Sequence, residues 1–323
     1  MDFLLISVLG FVLSIIVMII VMPLFIRFLK NRNINQVTSE YALEEFKQKE
    51  KTPIMGGLMF VIIPIFVYAI INLGGFVDRR LLFILWSYIL YCSVGFIDDS
   101  LVILSKKNDG LSPVTRLVLE FVYTALLFVL FRDIIDTNID IPFTDLTINI
   151  KWYLYLPFMA LLYMAEANAV NFTDGMDGLC AGVSFIALLP FVYFSYIKME
   201  YDVVIFLVCI LGGLLGYLRF NFHPAKIFMG DSGSLALGAL FTSIAIVLNK
   251  YFALFIIGGV FVAEMFCVVV QQVSVRLFHK RVFSYTPIHY AFVIKGHKET
   301  NIVLGFYLVE LILVIIGIFV GIN

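Results

Sequence analysis

Residues 220–238 read FNFHPAKIFMGDSGSLALG. Asn221, His223, Lys226, Asp231, Ser232 and Ser234 crowd into this stretch with Gly230, Gly233 and Gly238, and an apolar run flanks it on either side. Polar groups at this density have no place in the hydrocarbon core of a bilayer, where nothing solvates an unpaired donor or acceptor. The stretch therefore belongs where a membrane-spanning helix meets water, and it reads as one wall of a site at the membrane surface.

The remainder of the chain agrees. Of 323 residues, 62% are hydrophobic and 14% charged, with a mean hydropathy of +1.03, against about 45–50% apolar and about 25% charged in soluble domains. That balance excludes a soluble domain and defines an all-α polytopic membrane protein. The net charge of -1 gives no reason to expect a nucleic-acid partner. Cys92, Cys180, Cys209 and Cys267 have no pair spacing and read as packing residues. The apolar run up to Met22 has neither a basic start nor a small-residue cleavage site, so it reads as a retained span.

About 20 apolar residues cross a bilayer. On that measure the chain holds ten spans, at 2–28, 54–73, 81–97, 114–131, 152–170, 180–197, 203–219, 233–249, 252–275 and 301–321, in a single domain covering 1–323. An even number puts both termini on one side. Of the 22 Lys and Arg residues, only Arg79, Arg80, Arg132, Lys151, Lys198 and Lys250 fall on one face, so loops 29–53, 98–113, 171–179, 220–232 and 276–300 are expected in the cytoplasm and both termini outside. Residues 137–150, TNIDIPFTDLTINI, alternate around Pro142 and predict a short external β-hairpin. Residues 32–51 form a polar loop with Glu40, Glu44 and Glu45 set against Lys47, Lys49 and Lys51.

The chemistry sits on the cytoplasmic loops. They carry KTPIMGG (51–57), GFIDDS (95–100), NAVNFTDGMDG (168–178), the opening stretch, and TPIHYAFVIKGHKE (286–299). Asp98, Asp99, Asp174, Asp177 and Asp231 lie at or just beyond expected helix ends, and such hard oxygen ligands suit Mg²⁺ shared with substrate phosphates. The same loops bring the cations Lys51, Lys106, Lys107, Lys226 and His289, and glycines that open backbone N–H groups to an anion. Acids mixed with cations point to a bound metal diphosphate rather than to ion transport. Asp231 also opens a helix whose first N–H groups favour phosphate oxygens.

Simpler readings accompany each group. Asp98 and Asp99 can end a helix in water, although helical neighbours point about 100° apart and can take two roles. Asp174 and Asp177 fit an ordinary glycine turn. Glu264 and Gln271 lie on one helix face and read as helix–helix hydrogen bonding, as do Glu120 and Glu310, whereas Glu166 inside a span is a functional candidate.

These motifs carry a resemblance that covers nearly the whole chain. KTPIMGG resembles the TPTMGG loop of the polyprenyl-phosphate sugar-1-phosphate transferases, GFIDD their aspartate pair, NAVNFTDGMDGL their NAVNLTDGLDGL loop, and the opening stretch their FNxxPAxxFMGDxGSLALG signature. The match is to the branch that transfers phospho-N-acetylmuramoyl-pentapeptide from its UDP carrier to undecaprenyl phosphate with Mg²⁺, giving lipid I and UMP in peptidoglycan synthesis. The resemblance implies a bacterial plasma-membrane enzyme and a homodimer. It implies that Asp231 binds the metal, that Asp98 and Asp99 are catalytic with His289, and that Phe228 stacks on uracil. Asn171, Asp174 and Asp177 then belong to the nucleoside pocket, Lys51 and Thr52 face the nucleotide, and Asn168 and Asn221 lie near the metal. The chain departs from the pattern where three successive histidines are expected, having His289, Tyr290 and Ala291, and at Val102, where a lysine is expected. Alternatives are another donor such as UDP-N-acetylglucosamine, a transporter, and an inactive regulatory paralogue.

Overall fold

The computed structural model describes residues 3–36, 48–105 and 110–322. Glu40, Glu44, Glu45, Lys47, Lys106 and Lys107 lie outside them. The described residues form α1 (Phe3–Asn31), a short 3₁₀ turn (Gln48–Lys51), α2 (Gly57–Ile71), α3 (Arg79–Ser105) and α4 (Pro113–Leu130). A hairpin of β1 (Asn138–Asp140) and β2 (Thr147–Asn149) precedes α5 (Trp152–Thr173), α6 (Leu179–Ile197), α7 (Tyr201–Asn221) and α8 (Asp231–Leu248). The chain closes with α9 (Tyr251–Ile257), α10 (Gly259–Phe278), α11 (Ile288–Ile294) and α12 (Glu299–Ile322).

Among the described residues, eight helices (α1, α3, α4, α6, α7, α8, α10 and α12) are long and apolar enough to cross a membrane. The chain is a multi-pass membrane protein. Three of the ten expected spans look different. The α2 helix has only 15 residues, α5 carries Glu166, Asn168 and Asn171 in its last turns, and the span expected over 252–275 is interrupted at Gly258 between α9 and α10. The α3 helix runs past the expected end at 97 to Ser105, because SLVILS continues the apolar pattern, so Asp98 and Asp99 stand inside a helix.

Helix α8 is the axis of the bundle. Its most apolar window is 89% buried, and its small residues (Gly, Ala and Ser in GSLALGALFTSIAI) let α3 and α5 approach closely. Buried hydrogen bonds tie its surroundings, Ser87 to Tyr163 at 2.8 Å between α3 and α5, and Tyr91 to Thr124 at 2.9 Å between α3 and α4. By contrast α1 and α12 are 17% and 28% buried over their spanning windows and turn apolar faces outward, as a lipid-facing helix does.

The predicted hairpin is present, antiparallel, with Asn138 opposite Asn149, Ile139 opposite Ile148 and Asp140 opposite Thr147. Asn249, which caps the C-terminal end of α8, donates to the Asn138 carbonyl at 2.9 Å. At 1.5 Å per residue α8 is about 27 Å long, so Asp231 and the hairpin mark opposite ends of the bundle.

Candidate active site

The site is built around the first turn of α8. Gly230, immediately before it, has φ +77, a conformation that side chains resist. The segment entering this turn is held by KTPIMGG: Phe228 N–H donates to the Pro53 carbonyl at 2.8 Å, Gly56 N–H to Phe228 at 2.8 Å and Gly57 N–H to Met229 at 2.9 Å. From α3, the buried Asp99 carboxylate accepts the N–H groups of Asp231 and Ser232 at 3.0 and 3.1 Å. It thereby caps α8 from a neighbouring helix. Any Cβ at Gly95 would collide with the Asp231 carbonyl, so only glycine lets α3 come this near.

The Asp231 side chain is shared by two other helices. One oxygen accepts from Arg116 Nη1 at 2.9 Å and the other from Asn171 Nδ2 at 2.8 Å. Arg116 also pairs with Glu120 one turn along α4 at 3.3 Å, and Asn168 donates to the same Glu120 at 3.3 Å. Half-buried Asp98 accepts from Leu111 N–H at 2.9 Å. Asp98, Asp99, Asp174 and Glu120 all lie within electrostatic reach of Asp231. Burial, and then the charge of Asp231, push the Asp174 carboxyl up to about 7.

Two features of this cluster point to a ligand. Its carboxylates outnumber the one guanidinium, so a hard cation would offset the excess. Arg116 Nη2 is buried with no acceptor, and an orphaned buried donor of this kind is costly unless an anion completes it. The cluster thus joins an excess of carboxylates to an unsatisfied guanidinium N–H, while among the described residues the group of side chains close enough together to share a metal ion is Asp177, His223 and Glu299.

Beside the cluster lies a cavity of about 540 Å³ lined by Lys49, Thr52, Asp177, His223, Phe228 and Glu299, among others. Lys49 Nζ bridges Asp177 at 2.5 Å and Glu299 at 2.7 Å and stands 5.9 Å from the centre of the Phe228 ring. Asp177 also receives Ala225 N–H at 3.0 Å and faces His223 Nδ1 at 3.0 Å. The cavity thus offers a half-buried aromatic ring among charged hydrogen-bonding groups, which suits a base and its ribose.

His289, the first residue after the start of α11, is fully buried. Glu264 of α10 holds it, Oε1 lying 3.0 Å from His289 Nδ1 and Oε2 accepting Ile288 N–H at 2.7 Å. Nε2 then faces Gly175, where any added Cβ would strike it, and Tyr290 Oη donates to the Gly175 carbonyl at 3.0 Å. Together they support the Asp174 turn from beneath.

The structure brings Asp98, Asp99, Asn168, Asn171, Asp174 and Asp231 to one cluster, and Thr52, Asp177 and Phe228 to the adjoining cavity. Asn221 lies buried behind them, its amide accepting Gly178 N–H at 3.1 Å and donating to Ile227 at 2.9 Å. Lys51 is exposed, and Lys49, two residues earlier, reaches the cavity. Glu120 makes the expected bond between helices, accepting from Asn168 of α5, which is itself a site residue, whereas Glu264 of α10 holds the α11 segment at Ile288 and His289. Gln271 likewise pins the loop at Val282 and Phe283, at 3.0 Å each. Arg116 drew no attention in the sequence, although an Arg–Glu pair one turn apart in an apolar helix is a signal of function.

Fold and site define a membrane-embedded transferase whose polar centre sits at one end of a helix bundle. The chain belongs to glycosyl transferase family 4, whose family model matches residues 81–249, and it is a phospho-sugar transferase. It is 38% identical over 315 residues to a phospho-N-acetylmuramoyl-pentapeptide-transferase of Shouchella clausii, covering 96% of each chain. It is 36% identical to the protein of that name from Halalkalibacterium halodurans, over 95% of each chain. With the Bacillus subtilis protein of the same name it shares 35% identity over 96% of this chain and 95% of that one.

Proposed function

We propose that this protein transfers phospho-N-acetylmuramoyl-pentapeptide from UDP to undecaprenyl phosphate, yielding lipid I and UMP in peptidoglycan synthesis. The observation that carries the reading is the adjacency of two halves: an aromatic, hydrogen-bonding cavity at Phe228 and an acid cluster with an orphaned guanidinium N–H at Arg116. One suits the uridine of the donor and the other its diphosphate.

Asp231 would hold Mg²⁺, which would supply the positive charge that offsets the diphosphate and the departing UMP. The chain's own groups do the rest. Phe228 carries the uracil, with Lys49 Nζ over its ring, and Arg116 Nη2 donates to a diphosphate oxygen. Asp99 is occupied with the α8 N–H groups, which leaves Asp98, one helical neighbour away, to take the proton of the lipid phosphate as it attacks the sugar-proximal phosphorus. Glu264 holds His289 through Nδ1, which leaves the buried Nε2 against the Gly175 turn with no hydrogen-bond partner among the described residues. The isoprenoid tail stays in the bilayer, which is why this chemistry needs a site at the membrane surface.

The same reading gives ten membrane crossings, counting α2, α5 and the broken α9–α10 pair, with the site in the cytoplasm and both termini outside. Purified protein with Mg²⁺ and undecaprenyl phosphate is expected to release UMP from UDP-N-acetylmuramoyl-pentapeptide. UMP release from UDP-N-acetylglucosamine in its place would assign a different donor to the same chemistry.

A further inference from the structure

Away from the site, two carboxylates face each other inside the bundle. Glu166 of α5 and Glu310 of α12 are 7% and 0% exposed. Glu166 Oε1 and both Glu310 oxygens are buried without a hydrogen bond of ordinary geometry, Glu310 having only the Val260 N–H of α10 within reach. Glu166 is the one titratable group within electrostatic reach of Glu310 among the described residues, and no charged group on α6, α9, α10 or α11 acts on either. At Gly238, seven residues into α8, any Cβ would touch the Glu166 carbonyl, so the Glu166 backbone lies about 10 Å along α8 from Asp231.

The break between α9 and α10 opens onto this pair. A Cβ at Gly258 would come within 3.1 Å of Glu166 Oε1, and one at Gly259 within 2.8 Å of Leu313, one turn from Glu310. The first turn of α10 meets the carboxylates, with Val260 N–H in reach of Glu310, while Gly258 itself is paired through its N–H with Leu254 at 2.7 Å and through its carbonyl with Val262 at 2.9 Å. Interrupted membrane helices present backbone dipoles to ions in this way, and irregular backbone at membrane depth is tolerated where it lines such a site.

Two carboxylates at this depth cannot both remain ionised without a counter-charge, and among the described residues no basic side chain supplies one. We infer that Glu166, Glu310 and the α9–α10 break form a binding site for one small monovalent cation, a proton or a sodium ion. Three free oxygens are too few for Ca²⁺, and Mg²⁺ would have to give up its water. Occupancy locks the break, and with it the direction of α10.

The test compares thermal unfolding of the purified full-length protein, Glu310→Gln and Glu166→Gln in detergent, from about pH 6 to about pH 9, in choline chloride and in sodium chloride. Wild type is expected to lose about 2–5 °C in Tm on going to the alkaline end in choline. Recovery in sodium chloride identifies sodium as the occupant, and loss in both salts identifies the proton. Both substitutions are expected to abolish that dependence. Wild-type and variant curves that run parallel at every pH in both salts overturn the proposal. If neither variant folds, an infrared difference spectrum of wild type decides: a carboxylic-acid band in the same pH interval, or its loss on adding sodium, supports the site, and neither overturns it.

Discussion

Asp98 and Asp99 show how adjacent residues acquire different work. Asp99 is spent on two backbone N–H groups at the start of α8, whereas among the described residues only one oxygen of Asp98 accepts a hydrogen bond, from Leu111 N–H. Asp98→Asn is expected to lower kcat about 10²–10⁴-fold with little change in Tm. Asp99→Asn is expected to cost about 1–3 kcal/mol in stability by loosening the α8 cap, seen as a lower Tm by fluorescence-monitored unfolding. Equal effects of the two on both readouts would remove the distinction. The Asp174 carboxyl sits at about 7 when folded against an ordinary 3.8, so between those values the folded state binds more protons than the unfolded one. Stability from this group is full below that window, falls as pH rises through it and is flat above about 7. Melting curves of the metal-free protein are expected to show this fall, and Asp174→Asn to flatten it. The Asp231, Asp98 and Asp174 candidates were legible because their motifs are local. Lys49 was not, since it finds Asp177 and Glu299 across 128 and 250 residues of sequence, and Arg116 showed only its local pair with Glu120, its bond to Asp231 spanning 115 residues.

At the level of elements, close approach between helices is what assembles the site. Gly95→Val would drive a side chain into the backbone of α8, and overpacking of this kind costs about 1–3 kcal/mol. The expected outcome is a lowered Tm with loss of activity, checked by expression level and unfolding. Glu264 connects α10 to α11 through both of its oxygens. Glu264→Gln keeps the shape but weakens the hold on His289, and about a tenfold fall in kcat is expected, with Tm close to wild type; an unchanged rate would make the pairing purely architectural. Apolar length predicted most of the helices and alternation predicted the hairpin. The break at Gly258 and the extension of α3 to Ser105 escaped because hydropathy averages over a break of one residue and reads a carboxylate as an end. What decides both is tertiary: α8 supplies N–H partners for Asp99, and α12 packs onto the glycine pair.

At the scale of the molecule, α8 joins the polar centre to the hairpin end, and the outer helices present apolar faces to lipid. One end of the bundle therefore gathers charge while the lipid acceptor stays in the membrane beside it. Composition made the membrane class plain, and the uneven distribution of Lys and Arg gives the proposed orientation, since the residues that define it lie in short loops. The most direct measurement is UMP release from UDP-N-acetylmuramoyl-pentapeptide by the purified protein with Mg²⁺ and undecaprenyl phosphate, with Asp231→Asn alongside. The expected result is lipid-dependent UMP release that falls by about 10²-fold or more in the variant. No UMP from wild type, or equal release by Asp231→Asn, would contradict the account.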